Sequence, residues 1–544
     1  MMRITNSIIT ANTKANINVN KVNADTLNTM TASGQKITRP SDDPVVAIRA
    51  MRLNTNLTEL GQYYGKNIPD ADAWFTDTEA ALSQADVILE NMREKLNQAS
   101  SQENQTTNVL DILEELEQLS AQFYAIGNAD CAGRTVFTGF RTSEMLTFTE
   151  PDKIQYQIQE NISFDKCVEA SYVKGTRPID VSGNNITTYS GYNQEAVTQE
   201  KIHKFNLAYG NLMEGSTFEI AFRDKDGKTV KDAGGNDMKE TATVVSISGM
   251  SQSDIDDLYM GKAGNVVVIK ETGEVIMPED TYKEAVKAKS ASIDIAYAKN
   301  EWQKGDPRPE HYFMCSTPKN VDDPRTYSDT YPDGIEYNYN RVDASGNPVV
   351  GNTAADKAAT DQIKGFVEQD LTYEIAFNQT LQINSHANET FTHDIGRDIS
   401  ELVRITQAVQ TTEKNVASVQ EAFDKEEDIE TKAKYETLLA AVKKENDLMK
   451  DKMHDMFTGA ITSFKEYSDI MNKEISRVGA LTSRLELTKN RVKDQQTNVK
   501  KLADENINAD LTETALDYKN AQLALEAAQM AAGKIAKQTL LNYI

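Results

Sequence analysis

Cysteine is scarce in this sequence: Cys131, Cys167 and Cys315 are the only three among 544 residues. Three cysteines cannot build a disulfide framework, and at least one of them must stay unpaired within the chain. We therefore expect buried or inert thiols. Proline, with 12 residues, and the aromatic residues, at 7% of the chain, are also few, and this composition suits long helices.

Long apolar runs and an excess of positive charge are lacking as well. No run of about 18 apolar residues occurs, so we expect no membrane insertion. The 83 acidic residues outnumber the 58 basic ones and give a net charge of -25, which disfavours nucleic acid and anionic membranes as partners. The first residues lack the apolar core and the small-residue cleavage site of a secretory signal, so we expect no cleaved signal peptide.

Catalytic motifs are missing too. The sequence contains no nucleophile elbow, no His-Glu-x-x-His, no phosphate-binding loop and no dinucleotide fingerprint. His386 and His393 lie seven residues apart in a polar segment without cysteine or glutamate at ligand spacing, so we expect surface residues and not metal ligands. The sequence therefore predicts no enzyme, no cofactor, and no catalytic or metal site.

Helical periodicity fills the N-terminal part of the chain. A narrow apolar stripe predicts a helix over residues 3–31, a polar loop follows at 32–44, and a long helical stretch covers about 44–100. Pro69 should kink or interrupt that stretch. A shorter repeat over 109–126 predicts an antiparallel hairpin. The stripe residues are Ile8, Ala11, Ala15, Val19 and Val22, and the long stretch keeps the alternation of a coiled-coil seam at Ile68, Ala71, Phe75, Thr78, Leu82, Ala85, Leu89, Met92, Leu96 and Ala99.

The C-terminal part shows the same periodicity. One helix is predicted from Ile399 to Phe423, followed by the charged insert "DKEEDIETKAKYE". A second seam runs from Phe457 to Leu502, and a polar break at 506–510 precedes an alanine-rich last helix over 511–543.

Residues 145–395 contain short β-prone runs instead of helical repeats. The runs "STFEIAF", "TATVVSIS", "NVVVIK" and "DLTYEIAF" are separated by turn clusters. One cluster, "RDKDGK", has a trace of a calcium loop. It lacks the third ligand before its glycine and the glutamate at position 12, so we predict a hairpin turn.

Seams at the two ends of a chain can bury their apolar residues only against each other. The fold class is therefore predicted to be α+β: an antiparallel coiled-coil helical core formed by N- and C-terminal arms, with an inserted β-rich outer domain. The predicted ranges are 1–43 (N-terminal polymerisation arm), 44–145 (N-terminal half of the core), 146–395 (β-rich variable domain or domains), 396–505 (C-terminal half of the core) and 506–544 (C-terminal polymerisation arm).

The two extreme arms have little apolar surface to bury. Ordering their roughly 60 residues costs on the order of 60–120 kcal/mol of backbone entropy, which thin seams hardly offset. We therefore expect the arms to be loose in the monomer and to fold when neighbouring copies supply the missing burial.

Four stretches resemble the flagellin superfamily and, within it, the hook–filament junction proteins of the FlgL family (hook-associated protein 3). They are "MRITNSIITANTKANINVN" at the N-terminus, "MTASGQKITRPSDDPVVAIRAMRL" (Met30–Leu53), "GNADCAGRTVFTGFRT" (Gly127–Thr142) and the end of the chain from "ISRVGALTSRLELTKN" onwards. The resemblance covers about 1–145 and 395–544, and the middle resembles no motif of the family.

Three details favour the junction family over filament flagellins. Flagellins have the pattern SSGxRINSAxDDAAGLAI at the polar loop, where this sequence has "PSDDP" (Pro40–Pro44). The run "GRTVFTG" (Gly133–Gly139) is similar to the family's Gly-Arg-Tyr-x-Phe-x-Gly, although Thr135 replaces the aromatic residue. The final "LLNYI" also resembles the junction family.

The resemblance implies a structural adaptor at the hook–filament junction on which flagellin polymerises. It implies self-association in a ring or tube, with flagellin, the other hook-associated junction protein and an export chaperone on the C-terminal helix as partners. It also implies an extracellular place on the bacterial flagellum after type III export. The alternatives are a filament flagellin and, from another class, a secreted binding module or enzyme with a β-rich head.

The polar loop and both arms are the candidate assembly interface. Pro40 and Pro44 restrict the loop backbone, and Ser41 or Asp42 is expected to cap the next helix. Lys36 and Arg39 are expected to pair with acidic groups on neighbouring copies, whereas the alternative is a helix–loop–helix corner with no intersubunit role. The full set is Ile4, Ile8, Ala11, Ala15, Lys36, Arg39, Pro40, Asp42, Asp43, Leu523, Met530 and Leu541.

A second candidate motif lies after the first helical region. Gly133, Arg134, Phe137 and Gly139 are expected to carry the chain from the helical core into the β-rich head. The run "RTVFT" alternates like a short strand, with Val136 on one face and Phe137 on the other. The alternative is a core-packing turn without a partner.

Overall fold

Internal contacts divide the chain into two compact units. The terminal unit consists of Met1–Asp72, Tyr373–Leu381 and Leu481–Ile544, and the central unit of Ala73–Thr372 and Gln382–Ala480. The structure is a computed structural model that describes residues 6–101, 105–174, 179–189, 191–214, 217–232, 234–262, 264–328, 332–337, 341–342, 362–363 and 369–541.

Ten α-helices occur in these described residues. They are α1 (Asn6–Ser33), α2 (Pro44–Gln62), α3 (Ile68–Ala99), α4 (Thr106–Ile126), α5 (Gln252–Tyr259), α6 (Glu279–Lys287), α7 (Ala387–Thr390), α8 (Asp394–Lys425), α9 (Ile429–Ile507) and α10 (Leu511–Leu541).

The described strands concentrate in the middle of the chain. They are β1 (Asp130–Cys131), β2 (Arg134–Thr135), β3 (Tyr156–Ser163), β4 (Val168–Val173), β5 (Gln199–Asn206), β6 (Thr217–Arg223), β7 (Lys239–Val245), β8 (Val267–Ile269), β9 (Glu274–Met277), β10 (Ser292–Lys299), β11 (Met314–Pro318), β12 (Gly334–Tyr337), β13 (Arg341–Val342), β14 (Gln362–Ile363), β15 (Thr372–Ala376) and β16 (Gln379–Gln382). Helices from both ends of the chain and a β-rich middle confirm the predicted α+β fold class.

In the terminal unit, α1 packs antiparallel against α10. The register is set by the backbone N–H of Ala509, which donates to the Gly34 carbonyl at 2.9 Å, and by an amide contact from Asn20 to the Ala524 carbonyl at 3.5 Å. Gly34 ends α1 with φ +71°, a conformation that favours glycine, and its N–H bonds the Met30 carbonyl at 2.9 Å. Antiparallel pairing of the two chain ends follows.

The predicted α3 seam is confirmed position by position, since all ten of its residues are buried. A π-helical turn at Tyr63–Asn67 joins α2 to α3 just before Pro69. A proline has no N–H to donate, and a π turn is one of the recognised ways in which a helix absorbs such a break. The helix is thus continuous through Pro69, and the irregularity in this stretch is the π turn that precedes the proline.

In the central unit, α4 packs antiparallel on α8. The Tyr124 hydroxyl near the end of α4 donates to the Thr392 carbonyl at 2.8 Å, just before α8 begins. The charged insert at 424–436 is helical except at 426–428, where the chain passes from α8 to α9. From Ile429 onward, apolar residues such as Leu438 and Val442 recur and pack in one cluster with Val173 and Val197, so most of the insert is the charged face of a helix.

The β-rich part of the central unit is a ten-stranded sheet of order β12-β11-β3-β10-β6-β7-β8-β9-β5-β4. Its neighbours are antiparallel except β7 and β8, which are parallel. Three of the four predicted β runs form β6, β7 and β8, whereas the fourth forms β15 and pairs with β16 in a separate hairpin. The run "RDKDGK" is a hairpin turn, because the Asp224 N–H donates to the Lys228 carbonyl at 2.8 Å.

The cysteines are all buried and none of them is in a disulfide, as expected, and burial raises the pKa of the Cys167 thiol to about 12. The expectation of a surface position for His386 is wrong, since this side chain is buried, with Nε2 3.1 Å from the Asp370 carboxylate. Within the described residues, none of the helices has the length and apolarity that a membrane crossing requires. The five predicted domain ranges stay predictions.

Candidate assembly surface

Helix α1 has apolar residues on two faces. The face towards α10 buries Ala24 and half-buries Ile17, Leu27 and Met30. The predicted stripe lies on the other face and is exposed to solvent at Ile8, Ala11, Ala15, Val19 and Val22. Among the described side chains of α1, Ala24 is the only apolar one that is buried, so packing against α10 leaves the predicted stripe free for a further contact.

Helix α10 repeats this division. Small residues at three- and four-residue spacing face α1, namely Ala521, Ala528 and Ala532, with Leu525 among them, and all four are half-buried. Small side chains allow close approach of helix axes but bury little apolar area. The outer face exposes Leu511, Leu516, Leu523 and Met530, the last at 65% of its surface.

Helix α2 contributes an apolar face that the sequence analysis missed. Ala47 and Ala50 are buried, while Val45, Ile48 and Met51 are exposed, Val45 at 75%. The signal is present in "PVVAIRAMRL", where small apolar residues and large ones alternate between two faces of one helix. Large apolar residues at i, i+3 and i+6 beside buried alanines indicate an outward face.

Asp43 is the N-cap of α2. Its carboxylate Oδ1 accepts from the N–H groups of Val45 at 2.9 Å and Val46 at 3.1 Å, and Pro44 occupies the first turn. The prediction that Ser41 or Asp42 caps this helix is therefore wrong. Ser41, Asp42 and Asp43 all have side chains that can cap the first N–H groups of a helix. The extended backbone of Asp43 (φ -147°, ψ 101°) suits the N-cap position.

Asp42 closes the loop on itself instead. Its Oδ2 accepts from the N–H of Arg39 at 2.8 Å and from the N–H of Thr38 at 3.2 Å. The bond from the Arg39 N–H, the largest cause, holds the pKa of the Asp42 carboxyl below its usual value. The loop is therefore fixed by local hydrogen bonds and keeps its shape without a large core.

Lys36 attaches the same loop to the end of α9. Its backbone N–H donates to the Ile507 carbonyl at 2.7 Å, and its ammonium donates to the Glu505 carbonyl. The ammonium of Lys36 thus has an intrachain partner, and its predicted pairing with a neighbouring copy stays a prediction. Arg39 and Pro40 are exposed on the loop surface.

The structure brings most of the predicted interface residues onto one unit. Ile4 lies outside the described residues, and the side chain of Leu541 does as well. The antiparallel register places Met530 level with the turn of α1 around Lys14, and Leu523 close to Asn20. The described arms and loop therefore belong to one unit, in which α1, α2 and α10 each expose apolar side chains.

The Gly133–Gly139 motif lies in the central unit and is mostly buried. Gly133 has φ +78° at the turn between β1 and β2, and the Arg134 guanidinium lies 5.0 Å from the Trp74 ring centroid. The predicted strand covers only Arg134 and Thr135. Val136 and Phe137 were expected on opposite faces, but both are buried because the chain turns after β2.

Phe137 and Gly139 fix the motif to the core. The Phe137 ring contacts Phe391 at a centroid distance of 4.8 Å. Gly139 has φ +62°, and a Cβ added there would meet the Gln369 side chain at 2.5 Å. These contacts agree with the core-packing alternative, and beyond the motif the chain continues towards β3.

The N-terminal region matches a known family. Residues 4–142 match the bacterial flagellin N-terminal helical region, a stretch that includes the polar loop and the whole Gly133–Gly139 motif. The predicted resemblance to the flagellin superfamily is thereby confirmed for this part of the chain.

Individual relatives are more distant. A flagellin of Clostridium tyrobutyricum is 28% identical over 145 residues, which are 27% of this chain and 36% of that flagellin. The chain therefore spans little more than a third of the length of this curated relative.

Solved structures of hook-associated proteins are similar as well. A flagellar hook-associated protein of Vibrio parahaemolyticus has 10% identity and a TM-score of 0.30, covering 86% of this chain and 100% of that one. Hook-associated protein 3 of Legionella pneumophila has 10% identity and a TM-score of 0.27, covering 84% and 98%. FlgL of Xanthomonas campestris has 11% identity and a TM-score of 0.25, covering 82% and 99%.

Proposed function

We propose that this chain is a structural subunit of the bacterial flagellum, an adaptor at the hook–filament junction on which flagellin polymerises. The observation that carries the proposal is the outward apolar stripe on α1, α2 and α10. Each large apolar side chain that moves from water into a contact contributes about 1.5–3 kcal/mol. A surface with this many exposed apolar residues on paired terminal helices is suited to packing against further copies in a ring or tube.

The junction position is supported by the loop and by the end of the chain. The "PSDDP" loop and the "LLNYI" end resemble the junction family more than flagellins. Under this proposal the partners are flagellin, the other hook-associated junction protein and, before assembly, an export chaperone on α10. The exposed Leu516, Leu523 and Met530 suit such a helix-binding partner. The proposal places the chain outside the cell and gives it no catalytic role.

A filament flagellin is the second candidate, favoured by the family match over 4–142 and by the Clostridium flagellin. Abundance separates the two: a junction protein is a trace component of sheared filaments, whereas a flagellin is their main one. Deletion of the gene separates them as well. Loss of a junction protein leaves intact hooks and releases unpolymerised flagellin into the medium, while loss of the filament protein leaves no flagellin to release.

A charge placed in the outward stripe tests the assembly role. Val22→Asp should abolish filaments and release flagellin, because each copy would have to bury an unpaired carboxylate. The isolated chain should keep its helix content, since surface substitutions change stability by within about 0.5 kcal/mol. Val321→Asp is the control, because Val321 is also exposed, at 78% against 57% for Val22, but lies in the central unit. Normal filaments in the Val22→Asp strain would contradict the proposal.

A further inference from the structure

Three side chains with metal-ligating atoms converge beside the Gly133–Gly139 motif in the central unit. Glu144 follows the motif, whereas Glu310 and His311 lie on a short turn before β11. One carboxylate oxygen from each glutamate and one ring nitrogen of the histidine lie within 4.8 Å of one another. The two segments also pair through their backbones at the bridge between Thr147 and Pro307, so their relative position is fixed.

His311 is held as a metal-ligating histidine would be. Its Nε2 lies 3.1 Å from the Met145 carbonyl, which can only accept, so Nε2 carries the hydrogen and Nδ1 presents its lone pair. The residue is 4% exposed, and Nδ1 has no hydrogen-bond partner among the described residues. Ligating histidines typically donate their other nitrogen to a carbonyl in this way.

Glu310 has one positioned oxygen and one without a partner. Its Oε1 accepts from the Tyr156 hydroxyl and from Arg308, each at 3.3 Å. Its Oε2 is buried and has no hydrogen-bond partner among the described residues. A buried carboxylate oxygen without a partner costs free energy, so this atom is a second, independent indication of a ligand.

Glu144 gives the cluster access to solvent, since its side chain is 39% exposed. Arg141 donates to its Oε2 at 2.9 Å, as Arg308 does to Glu310. Each guanidinium forms an ion pair with the carboxylate that it positions. Two carboxylates and an imidazole suit a transition metal ion such as Zn²⁺ better than Ca²⁺ or Mg²⁺, which prefer ligand sets of oxygen alone.

We propose that Glu144, Glu310 and His311 bind one divalent transition metal ion of the Zn²⁺ class. The bound ion would link the segment after the Gly133–Gly139 motif to the turn before β11 and so stiffen the start of the β-rich part. The proposal does not depend on the function proposed above.

Zinc titration of the chelator-treated full-length chain tests the site. Calorimetry with excess Mg²⁺, which occupies weak surface carboxylates, should show one Zn²⁺ bound per chain. Glu144→Gln should weaken binding by about tenfold or more, because it removes a ligand without disturbing a buried group. Glu150→Gln, which changes an exposed glutamate nearby, should leave the affinity unchanged. X-ray absorption of the zinc-loaded protein should show the scattering of one imidazole.

Two outcomes would overturn the site. One is equal zinc affinity in the unmodified chain and the Glu144→Gln variant, which would mean that binding occurs at dispersed carboxylates. The other is the absence of stoichiometric binding, which would mean that the unpartnered Nδ1 and Oε2 contact only water. The absorption spectrum decides independently of any variant, because dispersed carboxylates give no imidazole scattering.

Discussion

The central unit and the three helices α1, α2 and α10 of the terminal unit use apolar residues in opposite ways. The central unit contains every one of the largest fully buried aromatic side chains, including Trp74, Trp302 and Phe464. In the described parts of α1, α2 and α10, the buried apolar side chains are only three alanines, Ala24, Ala47 and Ala50. The larger apolar residues of these three terminal helices are half-buried or exposed.

This difference indicates how the central unit and these three helices are stabilised. A helix in a folded protein is stabilised mainly by packing of its apolar face, and propensity alone is marginal. The central unit supplies that packing from within one chain. Helices α1, α2 and α10 leave their large apolar side chains exposed or half-buried, so their full stability depends on what covers these side chains.

The largest expected effect comes from one substitution made in both units. Leu89→Ala, in the buried α3 seam of the central unit, should lower the free energy of unfolding by about 2–5 kcal/mol, because a cavity remains. Leu523→Ala, on exposed α10, should change it by less than about 0.5 kcal/mol. Urea unfolding reports both, with the fluorescence of Trp74 and Trp302 for the central unit and circular dichroism for all helices.

The two leucine variants also show which result would contradict this comparison. A cost at Leu523 that equals the cost at Leu89 would mean that α10 buries its outer face within the monomer. The two substitutions delete the same atoms, so the intrinsic helix propensity of leucine and alanine cancels between them.

The next effect is a difference in hydrogen exchange between α1 and α4. Helix α4 buries Val109, Leu116 and Phe123, whereas α1 buries one alanine. In dilute, unassembled protein the amides of α1 should exchange about 100-fold faster or more, because local opening exposes little apolar surface. Mass spectrometry of peptides from both helices measures this. The assembled form is the control, in which α1 should gain protection while α4 stays unchanged.

Equal protection of both helices in the dilute protein would contradict the expectation that the arms gain stability on assembly. It would mean that the pairing of α1 with α10 is sufficient by itself.

The α3 seam could be predicted from the sequence because ten positions follow one period without exception. The pairing partner of a short β run could not be predicted, because its composition does not say which strand lies beside it. The run "DLTYEIAF" is a strand, as predicted, but it pairs in a separate hairpin. Likewise, the spacing of Val173, Tyr192 and Val197 in the sequence does not predict that they pack on α8 and α9.

The candidate site shows the same limit. The exposed residues of α1 and α10 follow from one visible stripe each, whereas the stripe on α2 shares its helix with buried alanines and was missed. Glu144 and His311 are separated by more than 160 positions, so only the backbone pairing of their segments brings them together. The cap of α2 was misplaced by one residue, because Ser41, Asp42 and Asp43 offer the same chemistry and only the backbone angles distinguish them.

The smallest expected effect concerns that cap. Asp43→Ala removes the acceptor for the N–H groups of Val45 and Val46 and should destabilise the first turn of α2 by about 1 kcal/mol. The exchange of these two amides should therefore be about fivefold faster. Ser41→Ala, two residues earlier on the exposed loop, should leave their exchange unchanged, and no protection factor in α4 should change in either variant. Because α2 has few buried apolar residues to compensate, its end depends on this single carboxylate; an unchanged rate in Asp43→Ala would mean that tertiary packing already holds the turn.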